Sequence, residues 1–206
     1  MVGHLDAPAV EHHAGAGLLA GTDPGSEMGP LVTRAHRDRV AGFVDRGVAE
    51  GAELVVDGRD LAVDGHEGGY WLGPTLFDRV TSDMEIYREE IFGPVLCVVR
   101  AETYDEAVGL VNANPYGNGV AVFTNDGGAA RRFEREVSVG MVGVNVPIPV
   151  PMAYYSFGGW KQSLFGDRHA HGPQAVDFYT RTKAVTARWP DPGERGRVDL
   201  GFPRAT

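Results

Sequence analysis

Glu89-Glu90-Ile91-Phe92-Gly93-Pro94 places two adjacent carboxylates and an aromatic ring just ahead of an apolar run, with Gly-Pro fixing the backbone. A carboxylate there can accept hydrogen bonds from a ribose diol while the ring packs on a flat ligand. A solvated acidic helix end is the competing reading. Cys97 is the one thiol of the chain, set inside Val95-Leu96-Cys97-Val98-Val99. In such a run a cysteine behaves as a small buried hydrophobe with a raised pKa, whereas nucleophilic cysteines sit in accessible, electropositive surroundings. Cys97 is therefore assigned to the core. His169-Ala170-His171 has only Asp167 as an obvious acidic neighbour. Metal centres need three or four ligands plus supporting carboxylates, so no metal site is predicted and both histidines are read as structural or substrate-loop residues. Gly15-Ala16-Gly17-Leu18-Leu19-Ala20-Gly21 invites a dinucleotide-loop reading. No apolar strand precedes it, however, and Thr22-Asp23-Pro24-Gly25 makes a turn where a helix should begin. That reading is set aside.

Elements must hold these groups in place. Val40, Phe43, Val44 and Val48 recur on one face of a helix that Thr33 can cap and Gly51 can end. Glu53–Asp57 and Thr75–Val80 read as strands, and Val95–Val99 as a third. Thr103-Tyr104-Asp105-Glu106 is a capping box opening a helix that Asn114-Pro115 must stop. Gly119–Phe123 then reads as strand, Asp126–Val137 as helix and Met141–Val146 as strand. This alternation with short joints predicts an α/β fold with parallel strands and helices on the sheet faces. Pro147 through Gly172 reads as one long loop, a length usually kept for function. A short helix at Pro173–Phe178 leads into Tyr179–Trp189, whose Thr, Val and aromatic residues predict a last strand. Met1–Gly21 stays unassigned, and the tail at 190–206 is expected to be disordered.

The chain has 206 residues, 28 acidic against 19 basic, for a formal charge of −9. That balance excludes the clustered positive surface on which nucleic acids or anionic membranes dock. The 29 glycines and 13 prolines call for many turns. A lone cysteine rules out an internal disulfide framework and suits a reducing cytosol, and no apolar run reaches the ~20 residues of a membrane span. A cytoplasmic protein is expected.

The hexapeptide at Glu89, followed in order by Asn114-Pro115-Tyr116-Gly117-Asn118-Gly119-Val120-Ala121-Val122-Phe123-Thr124, Val142-Gly143-Val144-Asn145 and Ser156-Phe157-Gly158-Gly159-Trp160-Lys161, resembles the C-terminal part of an aldehyde dehydrogenase. The likeness runs from Thr22 to Pro190. Within that family, Val146 to Pro151 and Gly166 to Gly172 look like the CoA-acylating methylmalonate/malonate-semialdehyde dehydrogenases. The resemblance implies a partial catalytic domain over 22–178, with 179–189 as an oligomerisation strand. It implies that Glu90 and Phe92 contact the nicotinamide ribose and ring of NAD, and that Phe157 lines the aldehyde tunnel. Family chemistry is attack of a cysteine thiolate on the aldehyde, hydride transfer to NAD and release of the thioester, here by CoA. The resemblance puts the nucleophilic cysteine, the oxyanion-hole asparagine and the NAD domain upstream of this chain, so no catalytic residue is assigned within it. Hydrolytic relatives carry an Arg-Glu pair where this chain has Asp167-Arg168. Lacking that base, an acyl-enzyme would await a better nucleophile such as a thiol. Two readings follow. The chain is an enzyme part that assembles as a homo-oligomer or with a separately encoded N-terminal half, or it is a catalytically silent remnant or subunit-binding module. Met1–Gly21 does not read as family sequence, which bears on that choice.

Overall fold

The computed structural model describes residues 17, 20–187, 189, 193 and 201. Most of Met1–Gly21 and of 190–206, for which the sequence predicts an unassigned segment and a disordered tail, lies outside the described residues. The chain divides into two compact units, Met1–Val150 with Gly158–Leu164, and Pro151–Phe157 with Phe165–Thr206.

In the first unit, helix α1 (Arg34–Ala49) starts where the Thr33 hydroxyl accepts a hydrogen bond from His36 N at 3.2 Å. It stops at Gly51, whose φ of 94° suits a residue without a Cβ. Val40, Phe43 and Val44 point into the core as the periodicity predicts. Val48, predicted on the same face, is 45% exposed. Strand β1 (Glu53–Val56) pairs antiparallel with β2 (Thr75–Asp78), and β2 pairs parallel with β3 (Val95–Cys97). All four residues of β2 are buried, as suits a central strand. Phe77 packs with Val40, Phe43, Val44, Ile86 and Ile91, Ile86 coming from the single-turn helix α2 (Glu85–Arg88).

Helix α3 (Tyr104–Ala113) opens on Thr103, whose hydroxyl accepts from Glu106 N at 3.1 Å. The Glu106 carboxylate reaches back to Glu102 N rather than to the cap's own N–H. Strands β4 (Tyr116–Gly117) and β5 (Gly119–Val122) follow, then α4 (Gly127–Glu136), which Asp126 caps through Gly128 N and Ala129 N, then β6 (Met141–Val144) parallel to β5. Val108 of α3 and Phe133 of α4 build a second core with Val137 and Val139, against which Val120 and Val142 pack.

The architecture is the mixed α/β one predicted, with three departures. The parallel strands form two separate pairs, β2–β3 and β5–β6, and β1 runs antiparallel. Hydrophobic period marks a residue as strand but does not choose its neighbour. The predicted loop at 147–172 is broken by β7 (Trp160–Lys161), which pairs antiparallel with β4. In the second unit a 3-10 turn (Gly172–Gln174) leads into α5 (Ala175–Tyr179), and 180–187 form no strand. The predicted oligomerisation strand at 179–189 is thus not formed here. Its composition favours extended backbone, and Thr180 is extended, but a strand exists only where a second edge supplies ladder bonds.

Asp78, 6% exposed at the end of β2, meets the Arg100 guanidinium along two edges, with Nε to Oδ1 at 2.9 Å and Nη2 to Oδ2 at 2.6 Å. This fork joins the end of the central strand to the segment after β3. The Arg100 hydrogen bond holds the Asp78 carboxyl below its ordinary pKa. A group lowered in the folded state stabilises the fold fully above its unfolded pKa of about 3.9, and that contribution fades as pH falls further. Asp78→Asn is expected to cost about 3 kcal/mol in urea unfolding at pH 7, with the gap from wild type narrowing below pH 4.

Candidate functional site

The acidic-aromatic hexapeptide forms a turn on the rim of the first core. Helix α2 ends because Glu89 turns extended, at φ −99° and ψ 142°. Ile91 drops into the core at 8% exposure, which lifts its two neighbours outward: Glu90 is exposed and the Phe92 ring is 75% exposed. Phe92 has φ 58°, in the left-handed region that an aromatic residue enters only at a cost of about 1–3 kcal/mol. Side chains of α1 hold it there. Arg39 donates from Nη1 to the Ile91 carbonyl at 2.9 Å and from Nη2 to the Glu90 carbonyl at 3.1 Å. His36 Nε2 stands 2.7 Å from the Phe92 carbonyl, to which it donates in the tautomer protonated there, and its ring meets the Phe92 ring edge-on at 6.2 Å. Gly93 lies so close to α1 that a Cβ on it would fall 2.6 Å from Val40 Cγ1. A cavity of about 530 Å³ opens beside the turn, lined among others by Arg88, Glu89, Glu90, Asn118 and Gln162. A bare ring and a bare carboxylate two residues apart on a rigid turn suit a flat ligand carrying hydroxyl groups.

Cys97 occupies the place its surroundings predict. It packs against the first core with Sγ 3.8 Å from the Ile86 carbonyl, and burial pushes its thiol pKa up to about 11, opposite to what a nucleophile needs. In the second unit the histidines brace the loop. His169 Nδ1 lies 2.8 Å from Gln174 Oε1, and His171 Nε2 bonds to the Ala153 carbonyl. The Phe157 ring tilts against His171 at 4.9 Å between centroids and is 43% exposed. Among the described residues no group of three or more His, Cys, Asp and Glu side chains is gathered in metal-binding array, and no helix is long and apolar enough to cross a membrane. Glu90 and Phe92 thus share one turn, and Phe157 belongs to the other unit.

The Gly-Gly-Trp-Lys segment does what its sequence did not announce. A Cβ on Gly159 would stand 2.9 Å from Asn118 Cα and 2.3 Å from Ser163 Cβ, so glycine is what lets β7 lie against β4. Lys161 then directs Nζ at the end of α3, donating to the carbonyls of Val111 at 3.4 Å and of Asn112 and Asn114 at 3.0 Å each. A cation on the orphan carbonyls of a helix end is favourable on both hydrogen-bonding and dipole grounds. His36, Arg39 and this role of Lys161 escape sequence reading, since each side chain acts on backbone about fifty residues away. Lys161→Met is expected to cost about 1–2 kcal/mol and to raise amide exchange at 110–116 before other segments, as mass spectrometry would show.

The model described as "Aldehyde dehydrogenase family" matches residues 10–185, and the chain belongs to that family. The match begins at residue 10, so part of Met1–Gly21, read from sequence as foreign to the family, lies within it. An Ala/Gly-rich stretch carries too little hydrophobic period to show this. The chain is 61% identical over 184 residues to a malonate-semialdehyde dehydrogenase of Pseudomonas aeruginosa, covering 89% of this chain and 37% of that one. The crystal structure of a methylmalonate-semialdehyde dehydrogenase from Oceanimonas doudoroffii superposes with a TM-score of 0.84 at 51% identity, over 90% of this chain and 38% of that one. An aldehyde dehydrogenase of Mycobacterium tuberculosis in complex with NAD+ gives 0.75 at 31% identity, over 85% and 35%. The chain spans little more than a third of the length of each of these relatives.

Proposed function

We propose that the chain is the C-terminal portion of an NAD-dependent, CoA-acylating (methyl)malonate-semialdehyde dehydrogenase, whose remaining part supplies the nucleophilic cysteine and the NAD domain. The observation that carries this reading is the Glu90–Phe92 turn, whose rigid backbone and bare side chains fit the nicotinamide half of the cofactor. NAD, when bound, supplies the hydride acceptor. Glu90 would accept hydrogen bonds from the ribose hydroxyls and Phe92 would cover one face of the nicotinamide. Phe157 offers an apolar wall to the aldehyde. Release by CoA rather than water accords with Asp167-Arg168, where hydrolytic relatives carry an Arg-Glu pair; Arg168 is bound to the Asp177 carbonyl at 3.3 Å. Residues 180–187, exposed and in no helix or strand of this chain, offer a segment for pairing with a partner subunit or with the rest of the enzyme. A silent remnant or binding module is the second reading, and an inert, half-buried Cys97 suits both.

The purified chain given malonate semialdehyde, NAD and CoA is expected to form no NADH, and Cys97→Ala to change nothing in that assay. NADH formation that disappears in Cys97→Ala would overturn the reading. With the missing part supplied in trans, absorbance at the NADH band is expected to rise, and a lack of activity there favours the silent module. In that assembled enzyme Glu90→Gln should weaken NAD use by about 1.5–3 kcal/mol, the worth of a hydrogen bond to a charged group, and Glu89→Gln by less. Equal effects at both positions would contradict the assignment of Glu90.

A further inference from the structure

We infer that His36 and Arg39 form a clamp that sets the main chain of Glu90, Ile91 and Phe92, making both of them positioning residues for the cofactor-facing turn; this rests on the function proposed above. Three consecutive carbonyls are captured by two side chains one helical turn apart, His36 taking that of Phe92 and Arg39 those of Glu90 and Ile91. Neither donor is itself a buried core residue. Arg39 is an exposed residue, and among the described residues it enters no ion pair; its other contact is the face of Phe43, 4.9 Å from the guanidinium. A guanidinium on an acidic surface finds carboxylates readily, so its commitment to two backbone acceptors singles out the turn as what it serves. The turn needs such help. Phe92 is held at φ 58°, and with its ring 75% exposed the ring's own burial contributes little to keeping it there. A strained conformation lasts only where neighbours over-determine it. Ile91 anchors the middle of the turn in the core, and Gly93 against Val40 stops it from backing toward α1, but neither fixes the carbonyls on either side of Ile91. The two donors fix those carbonyls.

The test uses the purified chain first. Amide 15N order parameters of Glu90 to Gly93 are expected at the rigid level of about 0.85 in wild type and below about 0.6 in Arg39→Met and in His36→Leu, with α1 and β2 unmoved. Order parameters unchanged at the turn in both variants, or lowered alike across α1 and β2, would overturn the clamp. In the assembled enzyme, Arg39→Met should raise KM for NAD about tenfold with KM for the semialdehyde unmoved, and Arg39→Lys, able to reach one carbonyl, should recover part of it. An unmoved KM for NAD refutes the positioning role. Failure of the wild-type assembly to make NADH refutes instead the function on which this rests, and the order parameters still judge the clamp.

Discussion

Val40 leaves no slack in the first unit. It is fully buried, and the Gly93 backbone rests against its methyl groups with less than a Cβ's worth of space between them. Because α1 cannot shift relative to that turn, whatever sets the rotation of α1 also sets the turn. Thr33 does so, since its hydroxyl on His36 N fixes where helical geometry begins. From that start His36, Arg39, Val40 and Phe43 fall on one side of the helix at spacings of three and four. One side of α1 therefore fills the core and grips the neighbouring backbone, and a hydroxyl at its first turn governs both.

Capped helices were the most legible part of the fold. Thr33 and Thr103 each declare a start within four residues of sequence and make the capping bond expected of them, and the helix read from Asp126 begins there, capped by its carboxylate. Strand existence was legible too, because β1, β2, β3, β5 and β6 are runs rich in apolar residues bounded by turn-formers. Pairing was not legible. The antiparallel β1–β2 contact and the two-residue β4–β7 contact depend on a chain path that no local period records. Tyr179–Trp189 shows the same limit, since a β-favouring composition names a willingness to pair and says nothing of a partner.

At the candidate site, exposure was legible and constraint was not. The spacing of Glu90 and Phe92 around Ile91 shows which side chains face outward once Ile91 goes in. That the backbone is strained at Phe92 and held from α1 is visible only in three dimensions, because an arginine three residues after a histidine on a polar helix face reads as solvated charge. Cys97 shows the opposite case: an apolar run is enough to disarm a thiol, and the structure places it there.

Lys161 bears on a chemical hazard. A protein proposed to release an acyl thioester works beside a reagent that acylates amines. An ammonium group has three N–H bonds and no lone pair, and here each of the three carbonyls it meets belongs to the end of α3. Acylation of this nitrogen would remove donors that now hold the end of α3. Acylation of Lys161 and fraying of that helix end are therefore linked, and whatever tightens α3 against β7 shields the amine from such a thioester.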